Sequence, residues 1–221
     1  MATPAPVKKV FKIRMSRGET DDSDIDLERV EDYVLFDERE NAIRFGEIYK
    51  MKKTIIIFLR HPQCFTVKEY MDDLCRVSTE MLEEVNVQLA IILPSKSETA
   101  FTFRTEFMLG HSVYCDPEMA LYKELGFTLV TSTGETLASS KHVKSGWVSG
   151  VLQSTYRAMW YQDFSADMYQ NGGCLVAGPG RLLHFFHRDK CLFDQVSINK
   201  VLEFVGAGVI SFPKDARVIT V

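Results

Sequence analysis

The sequence predicts an α/β fold in which a mixed central sheet carries helices on both faces, and three observations predict it. A short β-branched run, Thr54-Ile55-Ile56-Ile57-Phe58-Leu59, gives way to a stretch whose apolar residues recur at helical spacing, and Val87 to Leu93 then forms a second apolar run. Strand, helix and strand in that order make a right-handed parallel crossover, the unit of α/β sheets. Towards the C-terminus, Gly173 to Ala177 and Leu182 to His187 flank Gly178-Pro179-Gly180, turn residues between two strand-like runs, which reads as a hairpin.

Residues 19 to 32 are acidic and poor in large apolar groups, so 1 to 32 reads as a flexible, solvated arm and the domain as 33 to 206. Tyr33 to Phe36 and Ala42 to Phe45 suggest a hairpin, with Ile43 and Phe45 alternating against Arg44. The strand at 54 to 60 follows. Pro62 fits the first position of a helix, where its missing N–H costs nothing, and Cys64 then falls in the first turn. Val67, Tyr70, Met71, Leu74, Met81, Leu82 and Val85 extend the apolar stripe, predicting one helix from 63 to 85.

Glu98 to Leu109 and Pro117 to Leu125 read as short helices, the second with proline in its first turn and Gly126 at its end, and Val113 to Cys115 as a strand between them. After a polar loop at Thr131-Ser132-Thr133-Gly134, the residues Trp147, Val151, Leu152, Tyr156, Met159 and Trp160 suggest one amphipathic helix, with core packing its default role and a subunit contact the alternative. Ile198 to Val205 is the last helix. Residues 207 to 221 form a tail, whose end Ile219-Thr220-Val221 is expected to be disordered.

The chain has 221 residues, 46% hydrophobic and 25% charged, enough to bury one sizeable core. Its net charge of -4 and pI near 5.8 lack the basic footprint of a nucleic-acid binder. No apolar run is long enough to cross a bilayer, and no secretory core is visible at the N-terminus, so no membrane partner and a cytoplasmic location are expected. Residues 1 to 18 are basic and acid-free, as a mitochondrial presequence would be, but Pro4, Pro6 and a single serine oppose import. Cys64, Cys75, Cys115, Cys174 and Cys191 are odd in number and widely spaced, which suits free thiols in a reducing compartment.

Cys64 is the most informative residue. At the start of a helix, unpaired N–H groups and the positive end of the dipole favour a thiolate, a potential nucleophile. Arg60 and His61 are near in sequence. The competing reading is that Cys64 opens the core stripe with Val67, Met71 and Leu74, since free cysteine is among the most buried residue types. Cys75 lies eleven residues further on, roughly 16 Å along a helix and beyond disulfide reach. His184 and His187 are three apart on a strand and face opposite sides, so no metal site is expected, and no cofactor-binding motif is found. His187-Arg188-Asp189 lacks the glycine-rich loop and D-F-G of a kinase and reads as a strand end.

Phe58-Leu59-Arg60-His61, Cys64, Lys68-Glu69-Tyr70, Asp116-Pro117-Glu118, Tyr122-Lys123, Leu125-Gly126, Ser149-Gly150, Leu152-Gln153-Ser154, Gly172-Gly173, Gly178-Pro179-Gly180 and His187-Arg188-Asp189 together resemble the peroxiredoxin-like AhpC/TSA antioxidant-domain proteins, from about Tyr33 to Gly206. The resemblance implies a thioredoxin-like fold with peroxiredoxin-type elaborations, and thiol chemistry at Cys64 on a peroxide or a protein thiol or disulfide, with glutathione or thioredoxin as reductant. By the same analogy the strand carrying Gly172, Gly173 and Cys174 passes beside Cys64, making Cys174 the candidate resolving residue. Two departures stand out. Relatives of this type carry C-x-x-C, whereas Val67 holds the second position here, and typical peroxiredoxins carry T-x-x-C, with threonine where Cys64 stands. The arginine that peroxiredoxins place before the later strand is replaced by Tyr169-Gln170-Asn171-Gly172-Gly173, leaving Arg60 or Arg188 to polarise a peroxide. A non-catalytic thioredoxin-fold regulator or scaffold that lost the C-x-x-C pair is therefore the alternative, and a glutathione-binding thiol a third reading.

Overall fold

The computed structural model describes residues 25–127, 129, 141–161 and 170–214. The elements in chain order are α1 (Leu27–Val30), β1 (Val34–Phe36), β2 (Ala42–Arg44), α2 (Phe45–Tyr49), β3 (Lys53–Phe58), α3 (Phe65–Leu74), α4 (Thr79–Glu83), β4 (Val87–Leu93), α5 (Ser97–Phe107), β5 (Ser112–Cys115), α6 (Ala120–Glu124), α7 (Trp147–Tyr161), β6 (Gly173–Ala177), β7 (Leu183–Arg188) and α8 (Ile198–Val205). The basic segment at 1 to 18, the loop at 131 to 134 and the terminal Ile219-Thr220-Val221 lie outside the described residues.

One sheet runs in the order β2-β1-β5-β4-β3-β6-β7. Strands β3, β4 and β5 are parallel, and β1, β2, β6 and β7 join antiparallel, so the sheet is mixed. Its centre is continuously apolar because both faces are covered. Ile55 and Ile57 of β3, Leu89 and Ile91 of β4, and Cys174 and Val176 of β6 point to one core, with Val67, Met71 and Leu74 of α3, Phe103 of α5 and Leu202 of α8. The alternate residues Ile56, Phe58, Ile92 and Leu175 point to a second core with Phe45 of α2 and Leu121 and Tyr122 of α6. The α/β fold with helices on both faces is thus present as expected.

Several local expectations are corrected. The single helix of 63 to 85 is two, because after Leu74 the chain turns and Ser78 accepts a hydrogen bond from Met81 N at 3.2 Å, capping α4 afresh. Pro62 sits in the turn before α3, closed by Cys64 N donating to His61 O at 3.1 Å, and Cys64 is the N-cap. Phe45 starts α2 instead of ending a strand, fully buried with its N–H on Tyr33 O. Pro117 precedes α6, whose first turn is capped by the Asp116 carboxylate accepting from Ala120, Leu121 and Tyr122 N. Residues 27 to 30 are not a solvated arm, since Leu27 and Val30 are 3% exposed in the second core. Beyond residue 206, Ile210 and Phe212 pack on the first core, with Ile210 N and O bonded to the Asn199 side chain.

Candidate active site

Strand β3 delivers the chain to the site, and its end is fixed from the second core. The hydroxyl of the buried Tyr122 donates to Leu59 O at 2.7 Å and Ile92 O at 2.8 Å, tying the C-terminal ends of β3 and β4 together. Residues Arg60, His61, Pro62 and Gln63, which follow, are all buried. Arg60 Nη1 donates to Asn171 Oδ1 at 2.8 Å. A Cβ on Gly172 would stand 2.1 Å from Phe58 O, so only glycine lets the chain before β6 approach β3 this closely.

Cys64 takes an extended conformation (φ -67°, ψ 132°) as N-cap of α3, and its sulfur makes no capping bond to the helix backbone. Its Sγ lies 3.1 Å from Thr66 Oγ1, a hydrogen bond in which the hydroxyl donates once the thiol is ionised. Cys64 is only 5% exposed and belongs to the first core with Val67, which is fully buried one turn inside the helix.

Helix α7 closes this turn from outside. Phe65 N donates to Ser154 Oγ at 3.0 Å. Arg157 donates through Nη2 to Pro62 O at 2.7 Å and through Nε at 3.3 Å, while its guanidinium pairs with Glu106 and lies 5.2 Å from the Tyr161 ring centroid. A Cβ on Gly150 would come 2.6 Å from the Phe65 ring, so the two helices meet closely there. From below, Glu69 accepts from Lys144 N and Ser145 N, and Asp73 bonds His142 Nδ1 and Lys144 Nζ, both at 2.9 Å, pinning residues 142–145 to α3.

A cavity of about 10 Å3, room for one water, lies beneath the β3 end. Its lining includes Leu59, Arg60, Tyr70, Asp189, Gln195 and Val196, but not Cys64. Burial raises the Asp189 carboxyl against the opposing effect of His187 and Arg60.

The structure therefore gathers Cys64 and Cys174 in one core without making them equivalent. Cys174 is fully buried on β6, between Ile57 of β3 and His187 of β7, and burial pushes its thiol far above the ordinary range. Cys75 caps the end of α3 and donates to Met71 O at 2.8 Å, a full helix away from Cys64. Arg188 is across the sheet from the cysteine: its Nε donates to Leu125 O and its guanidinium stacks 4.6 Å from Phe186, both in the second core. His184 and His187 bond separate carbonyls, of Gly178 and Asp194. Among the described residues no group of His, Cys, Asp and Glu is arranged to hold a metal, and no helix is long and apolar enough to cross a membrane. Arg157 and Thr66 were not anticipated as site residues. Arg157 announces itself only as the one charge in α7.

These features define a class. The chain belongs to the AhpC/TSA antioxidant enzyme family, whose profile matches residues 73–191, beginning after Cys64. Peroxiredoxin-like 2C of Homo sapiens is 36% identical over 197 residues, covering 87% of this chain and 85% of that protein, and the Takifugu rubripes protein of the same name is 33% identical. A chloroplastic thioredoxin-like protein of Arabidopsis thaliana, AAED1, is 27% identical over 76% of the chain and 68% of its own length. Among solved structures, a thiol peroxidase from Chromobacterium violaceum superposes with a TM-score of 0.51 at 11% identity, covering 78% of this chain and 81% of that one. Peroxidoxin BcpB from Mycobacterium tuberculosis gives 0.50 at 12%, covering 78% and 90%. The fold is that of the peroxiredoxin and thioredoxin group.

Proposed function

We propose that this protein is a peroxiredoxin-like thiol oxidoreductase acting through a single thiol, Cys64, on a peroxide or a protein disulfide. The observation that carries the reading is the place of Cys64: N-cap of the helix that follows the central strand, with the Thr66 hydroxyl 3.1 Å from its sulfur. Reactive cysteines of thiol enzymes commonly occupy such a place, at the start of a helix with a polar hydrogen-bonding neighbour.

With a peroxide, the Cys64 thiolate attacks one oxygen and the O–O bond breaks. Sulfur becomes sulfenic acid, and the departing alkoxide takes a proton to leave as alcohol, or as water from hydrogen peroxide. An external thiol then condenses with the sulfenic acid, releasing water and leaving a mixed disulfide. A second thiol attacks that disulfide, forms a new one with the first, and returns Cys64 as thiolate. The reductant is external, of glutathione or thioredoxin type, because Cys75 is a helix away and burial keeps Cys174 protonated. Free cysteines throughout the chain suit a reducing cytoplasm.

A second reading, a non-catalytic thioredoxin-fold module, is favoured by the 5% exposure of Cys64 and by apolar Val67 one turn further on. One experiment separates the two. The rate of Cys64 alkylation is followed against pH in the native protein, then peroxide consumption with and without thiol reductant, with Cys64→Ser as control. Alkylation at neutral pH together with Cys64-dependent, reductant-dependent turnover supports the oxidoreductase. Labelling only after denaturation supports the non-catalytic module.

A further inference from the structure

Helix α7 leaves an apolar stripe in solvent. Val148 (74% exposed), Val151 (45%), Leu152 (68%), Tyr156 (54%) and Met159 (73%) all stand out from the surface. Val148, Leu152, Thr155 and Met159 follow steps of four, three and four residues, the spacing that keeps side chains on the seam of a helix pair. The stripe is about 16 Å long at 1.5 Å per residue. Its opposite face is occupied, since Ser154 and Arg157 hold the turn before α3. Arg157 is the only charged residue of α7, and it is buried and paired with Glu106.

We infer that the outer face of α7 is a homodimer contact, packing antiparallel against α7 of a second copy across a two-fold axis. Two arguments select a second copy. The stripe carries no charge, so it meets itself without repulsion, and its residues are self-complementary: Val148 of one copy lies opposite Met159 of the other, and Leu152 meets Tyr156 near the axis. The exposed fractions of the five residues amount to about 550 Å2 per copy, so two stripes bury at most about 1,100 Å2, the size of a weak, reversible interface. An interface of that size gives an association that depends on concentration. Pairing would also buttress the helix that holds Pro62 and Phe65 in place beside Cys64.

Sedimentation equilibrium of the full chain, from low micromolar to near-millimolar concentration, tests this. The mass is expected to climb from 25.2 kDa towards twice that value. Leu152→Glu is expected to weaken association at least tenfold with its thermal melt unchanged at low micromolar concentration, where the parent is a single chain, while Phe101→Glu, at an exposed apolar residue of α5, leaves association as in the wild type. A single-chain mass at every concentration overturns the inference, as does a Leu152→Glu chain that dimerises like the parent. A second pair of variants decides if Leu152→Glu does not fold. Val148→Glu with Met159→Lys must associate more tightly than Val148→Glu with Met159→Glu, and equal association overturns antiparallel pairing.

Discussion

Replacing Tyr122 by Phe tests how the site is held from behind. The ring stays packed, edge-on to Phe58 at 5.5 Å and to Phe127 at 5.5 Å, so the change removes only a hydroxyl that serves two carbonyls. Those carbonyls do not suffer equally. Ile92 O keeps its bond from Leu59 N at 2.9 Å, whereas Leu59 O loses the 2.7 Å donor beside it. The cost is that of one buried acceptor losing its partner, about 1–3 kcal/mol. At about 2–4 °C per kcal/mol for a chain of this size, Tm falls by roughly 2–12 °C. Calorimetry reads that shift. Because Leu59 is the residue from which the turn to Cys64 departs, native Cys64 alkylation should also speed up in the variant. A Tm within about 1 °C of the parent, with unchanged alkylation, would refute the claim that this hydroxyl anchors the end of β3.

Other residues make sharper or narrower tests. Gly172→Ala places a Cβ 2.1 Å from a backbone oxygen and should cost more than about 3 kcal/mol, read as loss of soluble protein, whereas Gly110→Ala, with its nearest neighbour 3.5 Å away, should stay within about 0.5 kcal/mol in urea melts. Arg157→Met removes both bonds to Pro62 O and leaves Glu106, which is 26% exposed, with the Tyr161 hydroxyl but without its cation, so about 2 kcal/mol should be lost and Cys64 should label faster. Burial holds the pKa of His142 below its ordinary value despite Asp73, and its Nε2 accepts from Ile198 N, so the neutral ring is the folded form. The unfolded chain then binds the extra proton: stability due to this group is whole above about pH 6.5 and declines as pH falls from there towards the folded pKa. The stability advantage of the parent over His142→Gln should therefore shrink between pH 7.5 and 5.5, and an advantage independent of pH would exclude this role. Val67→Cys restores a C-x-x-C pair at the start of α3, and mild oxidation should remove two hydrogens from the mass and protect Cys64 from alkylation.

The sheet was legible because its strands announce themselves chemically. Ile55 to Phe58 and Leu89 to Leu93 are apolar on both faces, which only a covered central strand requires, and the two strands lie within a residue or two of where these runs put them. Helix ends were less legible because they are decided by contacts between distant segments. The start of α3 depends on Ser154, 89 residues away in sequence, accepting from Phe65 N. The break between α3 and α4 did carry a local signal, Ser78 ahead of Glu80, but the apolar stripe runs through Val77 and hides it. The acidic stretch around residue 27 misled for the same reason in reverse: two buried apolar groups, Leu27 and Val30, are enough to dock a single turn amid five nearby acids and bases. At the site, Cys64 was readable from the strand-to-helix transition, while Arg157 was not, because its partner is a backbone carbonyl that no side-chain pattern encodes.

The reactivity of Cys64 is therefore a contest between its position and its cover. Its sulfur sits at a helix N-terminus beside the Thr66 hydroxyl, but it is sealed among apolar groups of the first core, so a reagent reaches it only when the turn opens. Helix α7 contributes Ser154 on Phe65 N, Arg157 on Pro62 O and Gly150 against the Phe65 ring, and the segment after β7 adds the Phe193 ring 6.5 Å from that of Phe65 and Gln195 Nε2 donating to Thr66 O. Helix α7 is thus part of the cover, and the free energy for lifting it should limit how often an alkylating reagent reaches the sulfur. A second copy bound to the outer stripe of the same helix would raise that free energy, so thiol reactivity and self-association should run in opposite directions as concentration rises.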